Sequence, residues 1–136
     1  MSVLLDTVVL SELRKNKPAA PVLRWVRAQK ANELFVSVVS IGEIERGIEI
    51  ARKSDPAFAQ ELSRWLETLL TVYGDHVLPV TAIVARRWGH LSAKLGNDGA
   101  DILIAATALT HGLAVATRNV KHFTPAGVSV VNPFEL

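Results

Sequence analysis

The first apolar stretch of the chain is Val3-Leu4-Leu5, and it runs directly into Asp6-Thr7. A continuous apolar run of this length is typical of a strand that is buried on both faces of a sheet. Asp6 is unusual in this position, because burying a carboxylate is costly unless its charge is compensated. Capping a helix that begins near Val8 is one structural explanation for it. The stretch therefore predicts a buried strand with an acid at its carboxyl end.

Further strand and helix patterns alternate along the rest of the chain. The other predicted strands are Leu34–Val39, Leu113–Thr117 and Val128–Val131, with His76–Val80 as an edge strand because it contains Pro79. Predicted helices begin at Asp55-Pro56, run from Thr81 to about Leu95 before Gly96, and run from Ile102 to His111 before Gly112. This alternation predicts an α/β fold, a single domain over residues 1–136 with a mainly parallel sheet and helices on both faces.

Composition excludes several classes of protein. The chain has 136 residues, no cysteine and 49% hydrophobic residues, which excludes a disordered chain, a disulfide framework and a thiolate metal site. The apolar run Ile102–Leu109 is too short to span a membrane, and the first residues do not have the pattern of a secretory signal. We therefore expect a cytoplasmic protein with no membrane partner.

Charge is distributed unevenly, although the formal net charge is only +2. Residues 1–30 contain more bases than acids: Arg14, Lys15, Lys17, Arg24, Arg27 and Lys30 against Asp6 and Glu12. Such a patch is typical of solvated helix faces and is also compatible with nucleic acid.

The carboxyl ends of the predicted strands carry the candidate functional residues. In a parallel α/β sheet, ligands bind beyond those ends, near the point where the strand order reverses. The residues expected there are Asp6-Thr7, Ser40-Ile41-Gly42-Glu43, Thr117-Arg118-Asn119, and Asp101 at the start of the buried helix. Three carboxylates and an amide should therefore meet at one edge of the sheet.

Helix capping is an alternative explanation for each acid taken alone. Ser40-x-x-Glu43 has the spacing of a capping box, which would make Glu43 structural. Asp98 or Asp101 could be the N-cap of the buried helix. Capping does not require every helix start on one edge to be acidic, so the three acids together favour a shared chemical role.

Clustered carboxylates favour a hard divalent cation. They repel one another, and a bound cation removes that cost. Oxygen ligands without a histidine or cysteine cluster select Mg²⁺ or Mn²⁺ over zinc. Such an ion at strand ends indicates phosphate chemistry, and the chain has no glycine-rich nucleotide cradle. The pattern therefore favours a polymer that passes over the surface.

Four motifs in this order resemble those of PIN domains. They are Leu4-Leu5-Asp6-Thr7 with Val9–Leu13, Ser37-Val38-Val39-Ser40-Ile41-Gly42-Glu43-Ile44, Ala100–Ala108, and Ala116-Thr117-Arg118-Asn119-Val120-Lys121-His122-Phe123. The closing Gly127-Val128 and Asn132-Pro133-Phe134 are similar to the tail of VapC/FitB-type toxins. The resemblance spans nearly the whole chain, and the combination of motifs is highly specific.

The resemblance implies a three-layer α/β/α fold and a metal-dependent endoribonuclease, the toxin of a type II toxin–antitoxin pair. By motif match, Asp6, Glu43 and Asp101 would ligate Mg²⁺ or Mn²⁺, with Thr7 and Thr117 in support. Substrates in the family are structured RNAs, often tRNA. Members usually form homodimers, are inhibited by an antitoxin that lies in a groove near the site, and can join larger complexes that bind DNA through the antitoxin.

Two positions depart from the family pattern. Val8 stands where an asparagine is frequent, and Asn119 and then His122 occupy the region of the usual fourth acid. We retain Asn119 as a catalytic candidate and Asp98 as a possible source of the missing charge. Backbone phosphates would be held by Arg14, Arg118 or Lys121.

Two other functions fit parts of this pattern. The missing acid also suits a degenerate PIN-like module that binds RNA or a protein without cleaving. A receiver domain is excluded, because Asp6-Thr7 and Thr117-Arg118 replace its acid pair and lysine.

Overall fold

Five short parallel strands form the centre of the computed structural model, which describes residues 1–136. They are β1 (Val3–Leu5), β2 (Leu34–Ser37), β3 (Val77–Leu78), β4 (Ala114–Ala116) and β5 (Val130–Val131). Their order across the sheet is β3-β2-β1-β4-β5, and each neighbouring pair is parallel. The all-apolar β1 thus lies at the centre, where it is covered on every side.

Seven α-helices connect the strands. They are α1 (Thr7–Arg14), α2 (Ala20–Ala28), α3 (Val38–Ser54), α4 (Pro56–Tyr73), α5 (Ala82–Leu95), α6 (Ala100–His111) and α7 (Val120–Phe123). They pack on both faces of the sheet, which confirms the predicted three-layer α/β/α fold. None of them has both the length and the apolar character that crossing a bilayer requires.

Side chains of β1 alternate between two hydrophobic cores. Val3 and Leu5 pack in one core with buried residues of α1 to α4, whereas Leu4 packs in the other with α6 and α7. The alternation follows from the two-residue period of a strand. All three side chains are fully buried, so β1 joins the two cores.

Several helix boundaries agree with the sequence signals. Asp55 caps α4 by accepting a hydrogen bond from the Phe58 amide at 3.2 Å, and Thr81 caps α5. Gly96 and Gly112 end α5 and α6 in the left-handed conformation, with φ of 65° and 67°. Only glycine adopts this conformation without steric cost, which explains why these signals are reliable.

The second strand ends two residues earlier than predicted. The predicted strand Leu34–Val39 has the wrong carboxyl end, because β2 stops at Ser37 and α3 begins at Val38. The Ser37 hydroxyl accepts from the Val39 amide at 3.0 Å and is the true N-cap. The capping box at Ser40 and Glu43 is therefore also wrong, since both residues lie inside α3. The β-branched pair Val38-Val39 follows its tertiary context rather than its strand propensity.

Other predicted bounds also differ from the structure: two strands are shorter than predicted and one helix is longer. β4 is Ala114–Ala116 rather than Leu113–Thr117, and β5 is Val130–Val131 rather than Val128–Val131. α6 begins at Ala100 with Gly99 as its N-cap, so neither Asp98 nor Asp101 caps it. These errors concern strand and helix ends and leave the order of elements unchanged.

Alanine substitutions at a buried and an exposed isoleucine test whether α6 lies in the interior. Ile104 lies in α6 and is 0% exposed, whereas Ile50 lies in α3 and is 54% exposed. We expect Ile104→Ala to lower the free energy of unfolding by about 2–5 kcal/mol, because it leaves a cavity. Ile50→Ala, the matched control, should change it by less than about 0.5 kcal/mol. Urea denaturation measures both, and equal losses would contradict the interior position of α6.

Candidate functional site

Asp6 is the centre of the candidate site and is only 4% exposed. Its Oδ1 accepts a hydrogen bond from the Thr7 amide at 2.9 Å, which makes it the N-cap of α1. Its Oδ2 accepts from the Thr117 hydroxyl at 2.8 Å, directly after β4. Asp6 thus joins the ends of β1 and β4, where the strand order reverses and a parallel sheet offers its binding crevice. The capping explanation holds, although it accounts for one carboxylate oxygen only.

Thr7 connects this carboxylate to α3. Its hydroxyl donates to Glu43 Oε1 at 2.7 Å and lies 2.7 Å from Ser40 Oγ. Ser40 is fully buried, whereas Glu43 is exposed. The two lie on the same face of α3 because residues three apart on a helix are neighbours. Asp6, Thr7 and Glu43 therefore form one connected group across two elements.

Asp101 approaches from the other side, in the first turn of α6. Its Oδ2 lies 2.8 Å from His122 Nδ1, and the Asp101 side chain is 31% exposed. His122 lies in α7, which follows β4, so this contact ties α6 to α7. The imidazole Nδ1 must donate here when Asp101 is ionised, which sets the orientation of the ring.

The electrostatic environment disfavours the ionised form of Asp6. Burial is the main cause that raises its pKa from 3.8 to about 6, and the charges of Asp101 and Glu43 add to the effect. The hydrogen bonds from Thr117 and from the Thr7 amide act in the opposite direction. Both other acids are therefore near enough to repel the Asp6 charge.

The donors at this edge fit a hard divalent cation in chemical type. They are carboxylate and hydroxyl oxygens. The electrostatic repulsion between the acids is the cost that a bound cation would offset. The side chains do not, however, enclose an ion as they stand: no group of three acids, histidines or cysteines is close enough to hold one. Glu43 and Asp101 are instead engaged by Thr7 and His122.

The remaining predicted residues lie around this centre. Thr117 is fully buried, and its hydroxyl also accepts from the Asn119 amide at 2.9 Å. The Asn119 side chain is exposed and does not cap α7. Asp98 and Lys121 are exposed and make no hydrogen bond or ion pair with these residues.

Two predicted arginines lie over aromatic rings. The Arg14 guanidinium is 5.2 Å from the centroid of the Phe58 ring, and that of Arg118 is 3.8 Å from the centroid of Phe134. Neither arginine takes part in an ion pair.

Sequence reasoning missed two features of the site. The sequence placed Ser40 at this edge but gave it no role beyond capping, although its spacing of three residues from Glu43 indicates a shared helix face. A cavity of about 220 Å³ that Glu43 borders was also missed, because its walls come from α1, α3 and α4, and α1 is distant in sequence from the other two. Its lining includes Thr7, Ser11, Arg14, Glu43, Phe58 and Trp65.

Comparisons with known proteins agree on one family. The family model described as PIN domain matches residues 3–125. The chain is 34% identical to plasmid stability protein StbB of Pseudomonas syringae pv. tomato, covering 98% of this chain and 99% of that protein. It is 35% identical to VapC ribonuclease Y4jK of Sinorhizobium fredii, covering 98% of each. The solved structure of FitAB bound to an IR36 DNA fragment superposes with a TM-score of 0.86 at 28% identity, covering 98% of this chain and 96% of that one.

Replacing Asp6 by asparagine should stabilise the metal-free protein at neutral pH. The folded-state pKa of about 6 lies above the ordinary value of 3.8, so the carboxylate costs stability above about pH 6 and nothing below about pH 4. We expect Asp6→Asn to raise the free energy of unfolding at pH 7.5 by on the order of 2–3 kcal/mol. Asparagine keeps the N-cap, and the gain should disappear at pH 4.

Urea denaturation at the two pH values, with EDTA present, measures this difference. Asp75→Asn is the control. It removes an exposed carboxylate outside the candidate site and should change the free energy of unfolding by less than about 0.5 kcal/mol. A loss of stability in Asp6→Asn at pH 7.5 would contradict the electrostatic argument.

Proposed function

The chain belongs to the PIN-domain family, of the VapC/FitB type, and from this premise we propose that it is a metal-dependent endoribonuclease, the toxin of a type II toxin–antitoxin pair. The observation that carries the proposal is the buried Asp6 carboxylate, held at the strand-order reversal and repelled by two further acids. Such an arrangement is costly for a purely structural protein and suits the binding of a cation. An RNA substrate, tRNA included, implies action in the cytoplasm.

Asp6, Glu43 and Asp101 are the residues that would hold Mg²⁺ or Mn²⁺. When bound, such an ion activates water and stabilises the negative charge that develops on a phosphodiester. Asn119 could add a carbonyl oxygen after β4, and Asp98 a further negative charge nearby.

The residues around these acids would set their positions. Thr117 and the Thr7 amide hold both oxygens of Asp6, so that its carboxylate has one orientation. The Thr7 hydroxyl holds Glu43, and His122 holds Asp101. Such residues orient a metal ligand without binding the metal. Mutating them commonly lowers metal affinity or activity ten- to a hundredfold.

RNA would be bound by the cations that surround the acidic edge. Arg14, Arg118 and Lys121 are the candidates for phosphate contacts, which supply affinity independent of base sequence. Arg14 lines the same cavity as Thr7 and Glu43.

A second candidate function is a module that binds RNA or a protein partner without cleaving. The open arrangement of the three acids and the amide at Asn119 favour it, because a weak cation site would give weak catalysis. Metal binding separates the two functions.

Cleavage of RNA is the direct test of the proposal. We expect the purified protein to cut total bacterial tRNA with Mg²⁺ or Mn²⁺ and to be inactive with EDTA. Asp6→Asn and Asp101→Asn should each lower the rate by on the order of a hundredfold or more, because each removes a charged ligand. Gel electrophoresis of labelled tRNA measures the rate.

The control for this assay is Asp75→Asn, whose exposed carboxylate lies before β3 and away from the acids. It should cleave at the wild-type rate. Undiminished cleavage by both site variants would refute the assignment of the acids. If calorimetric titration detects no Mn²⁺ binding and no tRNA is cut, the non-cleaving module is the better description.

We also propose an antitoxin partner. The neighbouring solved structure of FitAB holds a DNA fragment, which suggests a complex that binds DNA through the partner. We expect a short reading frame for a DNA-binding protein beside this gene, and co-expression of the two should yield a complex that no longer cleaves tRNA. Size-exclusion chromatography with light scattering would show whether the chain alone is a homodimer. Failure of the neighbouring product to bind would contradict this partner.

A further inference from the structure

The guanidinium of Arg118 is stacked closely on the ring of Phe134, with 3.8 Å between its Cζ atom and the ring centroid. Arginine is well suited to such stacking because its group is planar, and its N–H donors then point outward around the edge of the ring. The stack therefore sets the orientation of the guanidinium and leaves its donors accessible.

The ring itself is anchored without help from Arg118. Asn132 Oδ1 accepts from the Phe134 amide at 3.0 Å, and Pro133 is buried. Phe134 packs against the core that contains β1. Arg24 Nη2 donates to the Leu136 carbonyl at 3.3 Å, which fixes the end of the chain to α2. The C-terminal residues thus hold the Phe134 ring in place beneath the arginine.

The charge of Arg118 has no direct partner. It is exposed and belongs to none of the four ion pairs in the structure. The pKa of Glu12 is lowered mainly by the Lys15 side chain and the Ala19 amide, and the charge of Arg118 contributes least. Glu12 is occupied by hydrogen bonds to Lys15 and Ala19, so it does not neutralise the arginine.

Arg118 is also next to the candidate site along the chain. It follows Thr117, whose hydroxyl donates to Asp6, and precedes Asn119. An oriented, unneutralised guanidinium beside an acidic centre is a receptor for an anion that would otherwise be repelled there.

We propose that Arg118 binds a backbone phosphate of the RNA next to the phosphate that lies at the acids, and that Phe134 is the positioning residue for its guanidinium. This inference rests on the proposed function, which supplies the polyanion. It assigns to the C-terminal residues a part in substrate binding rather than in folding alone.

Binding without cleavage tests the proposal. Fluorescently labelled bulk bacterial tRNA is titrated with the protein in EDTA at several salt concentrations. We expect Arg118→Ala to weaken binding about tenfold, as a charge-assisted contact is lost, and to reduce the slope of log K against log salt by about 0.7–0.9. Phe134→Leu should weaken binding about two- to fivefold, and Phe134→Tyr, which keeps the ring, should restore it.

The double variant separates positioning from folding. In the Arg118→Ala background, Phe134→Leu should have no further effect on tRNA affinity, since the group that it positions is absent. Arg52→Ala is the charge-matched control, because Arg52 is paired with Glu49 at the far end of α3, and its affinity should stay near that of the wild type. Thermal melting of each variant shows whether an affinity change reflects unfolding.

Four results would overturn the inference, and three of them concern tRNA binding. They are an unchanged salt slope in Arg118→Ala, additive losses in the double variant, and the absence of tRNA binding by the wild type. A variant that binds tRNA normally but fails to bind the co-expressed partner would assign the arginine to a protein anion instead, and would also overturn it. Mn²⁺-dependent cleavage of tRNA by the wild type would in each case leave the proposed function standing.

Discussion

The buried carboxylate of Asp6 is the constraint around which the rest of the structure is arranged. Its two oxygens accept from the Thr7 amide and the Thr117 hydroxyl, so one side chain closes the gap between β1 and β4. A buried carboxylate without such donors is strongly destabilising. These two contacts tie Asp6 to the start of α1 and to the turn after β4, and the Thr7 hydroxyl extends the network to Glu43.

The two hydrogen bonds do not fully compensate the cost of burying the Asp6 carboxylate. Burial and the neighbouring charges of Asp101 and Glu43 raise the pKa of Asp6 to about 6 despite two hydrogen bonds. A protein selected for stability alone would replace Asp6 by a neutral residue, because a buried charge that neighbouring acids repel has no structural use. Strongly shifted pKa values of this kind are frequent at functional sites, where a bound ligand can remove the electrostatic cost.

The sequence predicted the elements better than their ends. Gly96, Gly112 and Asp55-Pro56 marked helix boundaries correctly, because backbone geometry allows few residues at such positions. Val38 and Val39 misled, since β-branched residues favour a strand, whereas their tertiary context places them in the first turn of α3. The motifs placed the acids at one sheet edge, yet the link from Ser40 to Thr7 depends on a helix face that starts three residues earlier than predicted.

By itself the sequence determined the parallel α/β architecture, the family and the residues at the strand ends, because periodicity and motif order are local properties. The tertiary structure alone decided which groups touch. It bound Thr117 to Asp6 across 111 positions of sequence, turned Asp101 toward His122, and placed Arg118 on the ring of Phe134. Contacts between distant segments depend on how helices pack on the sheet, and no local pattern encodes that packing.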